Sequence, residues 1–278
     1  MNRRVPIPAV LVLVTLIAAS ACGNDTTGGS SDPAGGPAAV SGSSDLPQGS
    51  EPVDLAANDF TAEIDNRYWP MTPGTRWTYR EIDEDGAEVE VVVTVSTETE
   101  QIANGIEARV VRDTVTSDGE LIEDTLDWYA QDADGNVWYL GEDTAEFEDG
   151  EITTTGGSFE AGVDGALPGI IMPADPVPGL AYRQEYYEGE AEDNGAVLSV
   201  DELAEVPAGQ YREVLLTKDT ITIEPDVLEY KLYAPGVGPV LVFGVSGGGG
   251  REELIEMTTV DDAVAAAAGT TPLGETYG

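Results

Sequence analysis

The sequence predicts an all-β fold built mainly from antiparallel strands, and two observations carry this prediction. Several stretches alternate apolar and polar residues with the period of a β-strand, as residues 89–96 do with valine at every odd position. Asp-Gly and Asn-Gly pairs recur between such stretches, and these pairs are strong hairpin signals. We therefore predict a single large meander sheet. The pattern leaves open whether this sheet is a curved half-barrel, a barrel or a sandwich.

Hairpins make up the first half of the predicted sheet. Both residues of an Asx-Gly pair tolerate positive φ, so each pair is suited to a tight turn between two strands. The pairs are spaced so that one strand of about 8–11 residues fits into each interval. They are Asp85-Gly86, Asn104-Gly105, Asp118-Gly119, Asp134-Gly135, Asp149-Gly150 and Asp164-Gly165.

One of these strands has two chemically different faces. Ile122, Leu126 and Trp128 share one face, while Glu123 and Asp127 share the other. Further strands are predicted over residues 211–217 and 240–243, and residues 197–206 favour a strand over a short helix. Residues 165–180 contain four prolines, which predicts a long ordered loop rather than a central strand.

The N-terminus, residues 1–21, is interpreted as a signal peptide. Two arginines precede an uncharged stretch that is too short, and too rich in proline, for a transmembrane anchor. The block Ala19-Ser20-Ala21-Cys22 resembles the lipobox of bacterial lipoproteins, with alanine at the position where that family usually has leucine. The resemblance implies that Cys22 is acylated and becomes the first residue of the mature protein. It would then anchor the chain to the extracytoplasmic face of the cell membrane.

Composition divides the mature chain into three parts. Residues 22–58 are rich in Gly, Ser and Pro and are predicted to form a disordered tether. Residues 59–260 are predicted to form a single β-domain. Residues 261–278 are acidic and rich in alanine, and we predict a flexible tail that packs against nothing.

The charge of the chain limits its partners. The formal net charge is −41 and becomes −43 when Arg3 and Arg4 leave with the signal peptide. Nucleic acid is therefore not expected as a partner. Binding to anionic lipid surfaces is also disfavoured, so the membrane link is expected to be the covalent lipid at Cys22. We expect a monomer that meets a ligand or envelope partner of unknown identity.

The absence of histidine restricts catalysis. Without histidine a Ser-His-Asp triad cannot be assembled, and with Cys22 acylated no thiol nucleophile remains. Zinc, copper and haem sites lose their usual ligands. Glycoside hydrolysis needs only two carboxylates, but 53 acidic residues make any one pair uninformative. No catalytic residue is assigned, and no cofactor other than calcium is expected.

A weak calcium site is one interpretation of Asp132, Asp134 and Asn136. These residues place oxygen ligands at alternate positions. The position of Gly135 and the residue at the twelfth place, Asp143, both differ from an EF-hand loop. The alternative interpretation is a plain hairpin turn between two aromatic strand segments.

Aromatic residues and cations have structural interpretations as well. The aromatics are concentrated in the first half and predict either core packing or a groove for an apolar or sugar ligand. The cations lie on or near predicted strands among acids, so they are expected to pair across strands. The residues in question are Trp69, Trp77, Tyr79, Trp128, Tyr129, Trp138 and Tyr139, and Arg76, Arg80, Arg109, Arg112, Arg183, Arg212 and Lys218.

Residues 68–79 resemble the opening of a group of secreted bacterial β-proteins. The shared pattern is an aromatic pair, Pro and an apolar residue, then Pro-Gly, then Trp-x-Tyr. Residues 127–139 and 230–240 are similar to later parts of the same group. The resemblance implies one exported β-domain, and it assigns no activity and no catalytic residue.

Together these observations predict a lipid-anchored exported β-domain with a non-catalytic binding or envelope-associated role. Two alternatives stay open. The first is a carrier that holds a lipid or another apolar ligand in a curved sheet. The second is a carboxylate-based hydrolase that acts on an envelope or extracellular polymer.

Overall fold

The computed structural model describes residues 46–82, 86–102, 105–247 and 250–278. Cys22, the signal peptide predicted for residues 1–21 and most of the predicted tether lie outside these residues. In the described ranges, no helix has the length and apolar character needed to cross a membrane.

The prediction of an antiparallel all-β fold is confirmed. Sixteen strands of the described chain join one sheet, and each strand pairs with its neighbours in antiparallel fashion. The strands are β1 (Phe60–Thr61), β2 (Thr75–Ile82), β3 (Glu88–Gln101), β4 (Glu107–Ser117), β5 (Glu120–Asp132), β6 (Val137–Glu148), β7 (Glu151–Thr154), β8 (Phe159–Glu160), β9 (Leu167–Met172), β10 (Ala181–Arg183), β11 (Glu185–Tyr186), β12 (Asp193–Val206), β13 (Gly209–Ile221), β14 (Leu228–Ala234), β15 (Gly238–Ser246) and β16 (Arg251–Thr259).

The sheet nearly closes on itself, because its two end strands are consecutive in the chain. Its strand order is β10-β12-β13-β14-β15-β16-β2-β3-β4-β5-β6-β9-β11. The two end strands, β10 and β11, are separated by Gln184 alone, and they pair with β12 and β9 respectively. A Cβ at Gly169 of β9 would lie 2.2 Å from the backbone oxygen of Gln184, so this close approach requires glycine. Of the arrangements left open by the sequence, the structure adopts a nearly closed, barrel-like sheet.

Local turn chemistry produces two of the predicted hairpins, whereas Asp85 and Asn104 of two other predicted pairs lie outside the described residues. Asp118 and Gly119 have φ of 53° and 81° between β4 and β5. Asp149 and Gly150 have φ of 53° and 80° between β6 and β7. Two consecutive residues with positive φ form the turn that matches the right-handed twist of the strands. These hairpins therefore follow directly from their Asp-Gly pairs.

Aromatic side chains fill much of the interior. The rings of Tyr129 and Tyr139 stack with centroids 5.0 Å apart. Trp69 packs between Tyr129 and Tyr233, at centroid distances of 5.8 and 5.7 Å. Trp77 and these four aromatic residues are all buried. The packing interpretation of the first-half aromatics agrees with this arrangement.

The prediction of a loop over residues 165–180 is wrong for β9. This strand lies inside the sheet, between β6 and β11, although it contains Pro168. Pairing with β6 begins only at Gly169, so the missing N–H of Pro168 removes no bond to that strand. The carbonyl of Pro168 accepts hydrogen bonds from Arg183 Nε and Nη2 at 3.2 and 2.7 Å.

The tether prediction does not hold for residues 46–58, which pack against the sheet. Leu46 and Leu55 contact the hydrophobic core. Arg183 Nη1 donates to the backbone oxygens of Gly49 and Glu51 at 2.6 and 2.7 Å. A short 3-10 helix, Ala57–Asp59, then leads into β1. A buried arginine on β10 therefore holds this segment through its backbone, which composition alone does not reveal.

The flexible tail predicted for residues 261–278 is also wrong. Residues Asp262–Thr270 form a helix, α1, whose N-terminus is capped by the Asp261 side chain. Ala265 and Ala268 of this helix are buried, because α1 packs on β3 and β4. The short alanine side chains permit close packing on the outer face of the sheet.

Arg112 of β4 holds the end of this helix. Its side chain is fully buried and forms an ion pair with Asp124 of β5. Its Nη1 donates to the carbonyls of Ala268 and Thr271 at 3.3 and 2.6 Å, so the cation satisfies free carbonyls at the helix C-terminus. The guanidinium carbon also lies 4.7 Å from the ring centre of Tyr277.

Candidate functional site

Acidic side chains line the inside of the curved sheet. On β5, Glu123 and Asp127 are buried, whereas Ile122, Leu126 and Trp128 are only half-buried. The acidic face of this strand therefore points inward. The buried acids other than Asp124 are Glu81, Asp113, Glu123, Asp127, Glu142, Glu185, Asp193, Asp219, Glu229 and Glu252.

A small cavity, here called the acidic cavity, lies among some of these side chains. Its volume is about 30 Å³, which is room for one or two water molecules. Pockets for small organic ligands measure about 300–1,000 Å³. Its ionisable lining comprises Glu81, Asp113, Asp127, Glu229, Lys231 and Glu252, with Tyr79 and Tyr129; Trp69 and Trp77 add apolar walls.

Lys231 is the only basic side chain that the described structure places at the acidic cavity. Its Nζ lies 3.1 Å from Asp219 Oδ2 and 3.7 Å from Glu229 Oε2. Burial lowers the pKa of Lys231, but these two carboxylates raise it, and the result stands well above its ordinary value. The ammonium group is therefore charged, and its charge is directed at Asp219 and Glu229.

Asp113 and Glu252 contribute oxygens that no hydrogen bond satisfies in the described structure. Asp113 is 3% exposed and its Oδ1 is without a partner; Glu252 is 5% exposed and its Oε2 is without a partner. Burial, followed by the nearby Asp127, raises the pKa of Asp113 well above its ordinary value. Burial, followed by the nearby Glu81, does the same to the pKa of Glu252. A charge on either group is therefore costly unless something compensates for it.

A tyrosine joins two further carboxyl groups. Tyr139 Oη lies 2.7 Å from Asp127 Oδ1 and 2.6 Å from Glu142 Oε2. A phenol carries one hydrogen, so it cannot donate to both. When both contacts are hydrogen bonds, one carboxyl group must carry a proton. Burial raises the pKa of Asp127 to about 7, although the hydrogen bond from Tyr139 and the neighbouring Tyr129 hydroxyl oppose the rise.

The acidic interior extends beyond this pair. Burial, and then the charge of Asp127, raises the pKa of Glu142 well above its ordinary value. Burial, and then Asp193, raises the pKa of Glu185 well above its ordinary value. Burial raises the pKa of Asp193 to about 6, although Glu185 and Lys231 oppose the rise. The interior therefore retains protons at pH values where exposed carboxyl groups have lost them.

The turn proposed for calcium is built from internal hydrogen bonds. Asp132 Oδ1 accepts from the backbone N–H of Asp134 and Asn136 at 3.0 and 2.9 Å. Asp132 Oδ2 accepts from Asn136 Nδ2 and Trp138 Nε1, both at 2.8 Å. Asn136 Oδ1 accepts from Ala174 N at 2.9 Å. The calcium site stays a prediction, which a rise in melting temperature with millimolar calcium would support.

Sequence reasoning missed the acidic cavity, although a signal for it exists. Glu81 follows Trp77 and Tyr79 at a spacing of two, so it shares the inward face of these aromatics on β2. Glu229, Lys231 and Tyr233 are likewise spaced by two on β14, so they share one face of that strand. Charged residues that lie two positions from large aromatic residues on the same strand were therefore identifiable as candidates for burial.

The predicted cross-strand pairing of cations holds only in part. Arg112 pairs with Asp124, and Arg80 Nη2 lies 3.2 Å from Glu253 Oε2 on the neighbouring strand. Arg109, in contrast, donates to backbone carbonyls, including that of Ala62 at 3.1 Å. Backbone acceptors of this kind depend on tertiary contacts, so spacing along the sequence does not indicate them.

Comparisons with known proteins add little. No protein-family model matches the chain, and no curated protein sequence shows significant similarity to it. A crystal structure from Parabacteroides distasonis ATCC 8503, described as that of a candidate lipoprotein, aligns with 13% sequence identity and a TM-score of 0.39. The alignment covers 69% of this chain and 99% of that one. A TM-score of this size does not establish a common fold.

Proposed function

We propose that the protein is an exported β-domain, anchored by a lipid on Cys22 to the extracytoplasmic face of the cell membrane, with a non-catalytic binding role. The observation that carries the proposal is the order of basic residues, uncharged stretch and Ala19-Ser20-Ala21-Cys22 block. The packed domain begins by residue 46.

The enclosure of the acidic residues favours binding over catalysis. Asp127 and Glu142 both contact Tyr139 Oη, and the two distances sum to 5.3 Å, the largest separation their contacting oxygens can have. Retaining glycosidases hold their carboxyl groups about 5–5.5 Å apart, but with a sugar between them. Here a tyrosine hydroxyl bridges the pair, and both side chains are buried. A polymer would have no route to them in this arrangement.

The size of the acidic cavity argues against the carrier alternative. At about 30 Å³ it has no room for an acyl chain. Buried side chains, including Tyr129, Tyr139 and Tyr233, fill the space that a lipid would need.

Membrane fractionation of the Cys22→Ser variant tests the anchoring. We expect the unaltered protein in the membrane fraction and the variant in the soluble extracytoplasmic fraction. Ser20→Ala, two residues before the proposed cleavage point, is the matched control and should stay with the membrane. Retention of Cys22→Ser in the membrane would show that the anchor lies elsewhere.

A further inference from the structure

We propose that Lys231 and Asp219 condense in the folded protein to form an intramolecular amide bond between strands β14 and β13. This modification does not rest on the lipid anchor proposed at Cys22. The reaction occurs once in each molecule and consumes no other substrate, so it is a self-modification of the chain rather than enzymatic turnover.

Proximity of the two reacting groups is the first observation. Lys231 Nζ lies 3.1 Å from Asp219 Oδ2. Asp219 lies opposite Glu229 in the register of β13 and β14, and Lys231 follows Glu229 by two residues on the same face. The backbones of two paired strands therefore hold the amine beside the carboxyl group. This arrangement removes most of the entropic cost that the two groups would meet in solution.

Burial is the second observation. Lys231, Asp219 and Glu229 are all buried. Charged groups in such a position have lost their hydration, and their mutual attraction need not offset that loss fully. An amide is neutral, so condensation of Lys231 with Asp219 removes two charges from the interior. The exclusion of bulk water also protects the product from hydrolysis.

Hydrogen bonds to both carboxyl oxygens of Asp219 prepare this group for attack. Thr217 Oγ1 donates to Oδ1 at 2.8 Å, and Gln184 Nε2 donates to Oδ2 at 3.1 Å. Donors in these positions stabilise the negative charge that develops on the carboxyl oxygens as a nucleophile adds to the carbon. Gln184 lies between β10 and β11, so the near-closure of the sheet completes the site.

Glu229 is placed to move the protons of the reaction. Its Oε2 lies 3.7 Å from Lys231 Nζ, and it faces Asp219 across the paired strands. Burial raises the pKa of Glu229, although Lys231 opposes the rise. This carboxylate is therefore a stronger base than an exposed one, which suits it to accept a proton from the ammonium group.

The reaction balances without an outside reagent. Glu229 accepts one proton from the ammonium of Lys231 and passes it to the carboxylate of Asp219, which leaves a neutral amine beside a neutral carboxyl group. The electron pair of the amine forms a bond to Cγ of Asp219, and the C–O bond to the protonated oxygen breaks. That hydroxyl group leaves as water with a second proton from the nitrogen. The third proton stays on the amide nitrogen.

Peptide mapping of the unaltered full-length protein by mass spectrometry tests the proposal. After denaturation, trypsin cuts an unmodified chain after Lys231, whereas an amide on this side chain blocks the cut. We therefore expect a peptide from Asp219 to Arg251 that is lighter by one water. A second protease that cuts after Glu224 should leave its two products joined. Normal cleavage after Lys231, with peptides of unaltered mass, would overturn the proposal.

Loss of water by another route gives a different peptide. When an aspartate cyclises onto its own backbone, the chain also becomes lighter by one water, but the lysine stays free for trypsin. A light peptide that begins at Asp219 and ends at Lys231 would therefore overturn the cross-link. This measurement uses the unaltered protein, so it does not depend on the folding of any variant.

Variants assign the bond to these side chains. Lys231→Arg keeps the positive charge without a nucleophilic amine, and Asp219→Ala removes the carboxyl group, so both should give peptides of full mass. Lys218→Arg is the matched control, because Lys218 lies on the opposite face of β13, and it should keep the light peptide. A light peptide in Lys231→Arg or Asp219→Ala would overturn the assignment.

The role of Glu229 has its own test. Glu229→Gln keeps the side-chain shape but removes the base, and it should slow the condensation by about 100-fold or more. The linked fraction would be measured by peptide mapping at successive times after purification. A rate equal to that of the unaltered protein would show that Glu229 does not move the protons. Failure of the Cys22→Ser fractionation would leave all these results unaffected.

Discussion

Asp127 of β5 and Glu142 of β6 face each other across paired strands and share the hydroxyl of Tyr139. That hydroxyl has one proton to donate, so the arrangement with two hydrogen bonds requires a second proton on one of the carboxyl groups. Buried carboxyl groups that retain protons are therefore part of the packed interior of this acidic protein. The first two predictions follow from this relationship.

Stability should fall as pH rises through neutrality. The folded-state pKa of Asp127 is raised to about 7 and that of Asp193 to about 6. Raised values mean that the folded state holds protons which the unfolded state has lost, so their stabilisation is complete below about pH 4 and disappears as pH rises through about 6–7. We expect the free energy of unfolding to decrease by a few kcal/mol as the pH rises from about 4 to above about 7.

Denaturant unfolding at a series of pH values checks this dependence. The overall negative charge also opposes folding at high pH, so Asp127→Asn is needed to separate the two effects. The variant should show a shallower decrease than the unaltered protein. A stability that rises between about pH 5 and 8 would contradict the assignment, because depressed carboxyl pKa values would then dominate.

Removing the Tyr139 hydroxyl should destabilise the fold. Tyr139→Phe keeps the ring that stacks on Tyr129 but leaves Asp127 and Glu142 without this shared partner. We expect a loss of about 1–3 kcal/mol by denaturant unfolding. Tyr230→Phe, on a half-buried ring of β14, should change stability by less than about 0.5 kcal/mol. Equal effects of the two variants would show that the shared hydroxyl has no special role.

Replacing Arg112 should release the C-terminal segment. Arg112→Met removes the cation that pairs with Asp124 and binds the carbonyls of Ala268 and Thr271. Breaking a buried ion pair in this way costs about 3–5 kcal/mol. Limited proteolysis should cleave residues 261–278 more rapidly in this variant. The exposed Arg212 provides the control, and Arg212→Met should leave the cleavage rate unchanged.

Lys231 should contribute more to the free energy of unfolding at neutral pH than in acid. Lys231→Met leaves Asp219 and Glu229 buried without their cation, which should cost about 3–5 kcal/mol at neutral pH. The cost should shrink in acid because burial raises the pKa of Glu229, and this carboxyl group can then take up a proton. The chain has one other lysine, Lys218, which lies on β13 next to Asp219 and on the opposite face of that strand. Lys218→Met is therefore the matched comparison. A loss for Lys231→Met that does not vary with pH would point to packing rather than charge.

Local signals predicted the hairpins but not all the strands. Asp118-Gly119 and Asp149-Gly150 adopt positive φ because that preference belongs to the residues themselves. The strand β9 was missed because Pro168 suggested a loop. Its missing N–H is tolerated only because pairing with β6 begins one residue later. That condition depends on the register between strands distant in sequence.

The candidate site depends on long-range contacts more than the hairpins and strands do. Spacing of two placed Glu123 and Asp127 on one face of β5, but alternation alone does not say which face lies inside. Curvature of the sheet brings Asp113 and Glu252 to one cavity, although they are far apart in sequence. The sequence reasoning therefore identified the faces, and it missed which acids become buried neighbours.

The sequence alone determined the β-strand content, the Asp-Gly turns, the large negative charge and the candidate lipidation at Cys22, because each depends on residues close together in the chain. The tertiary structure decided the closure of the sheet at Gln184, the docking of α1 against Arg112 and the inward orientation of the acidic face. These features depend on contacts between distant segments. Burial then determines whether a carboxyl group is an ordinary surface charge or a proton-holding part of the core.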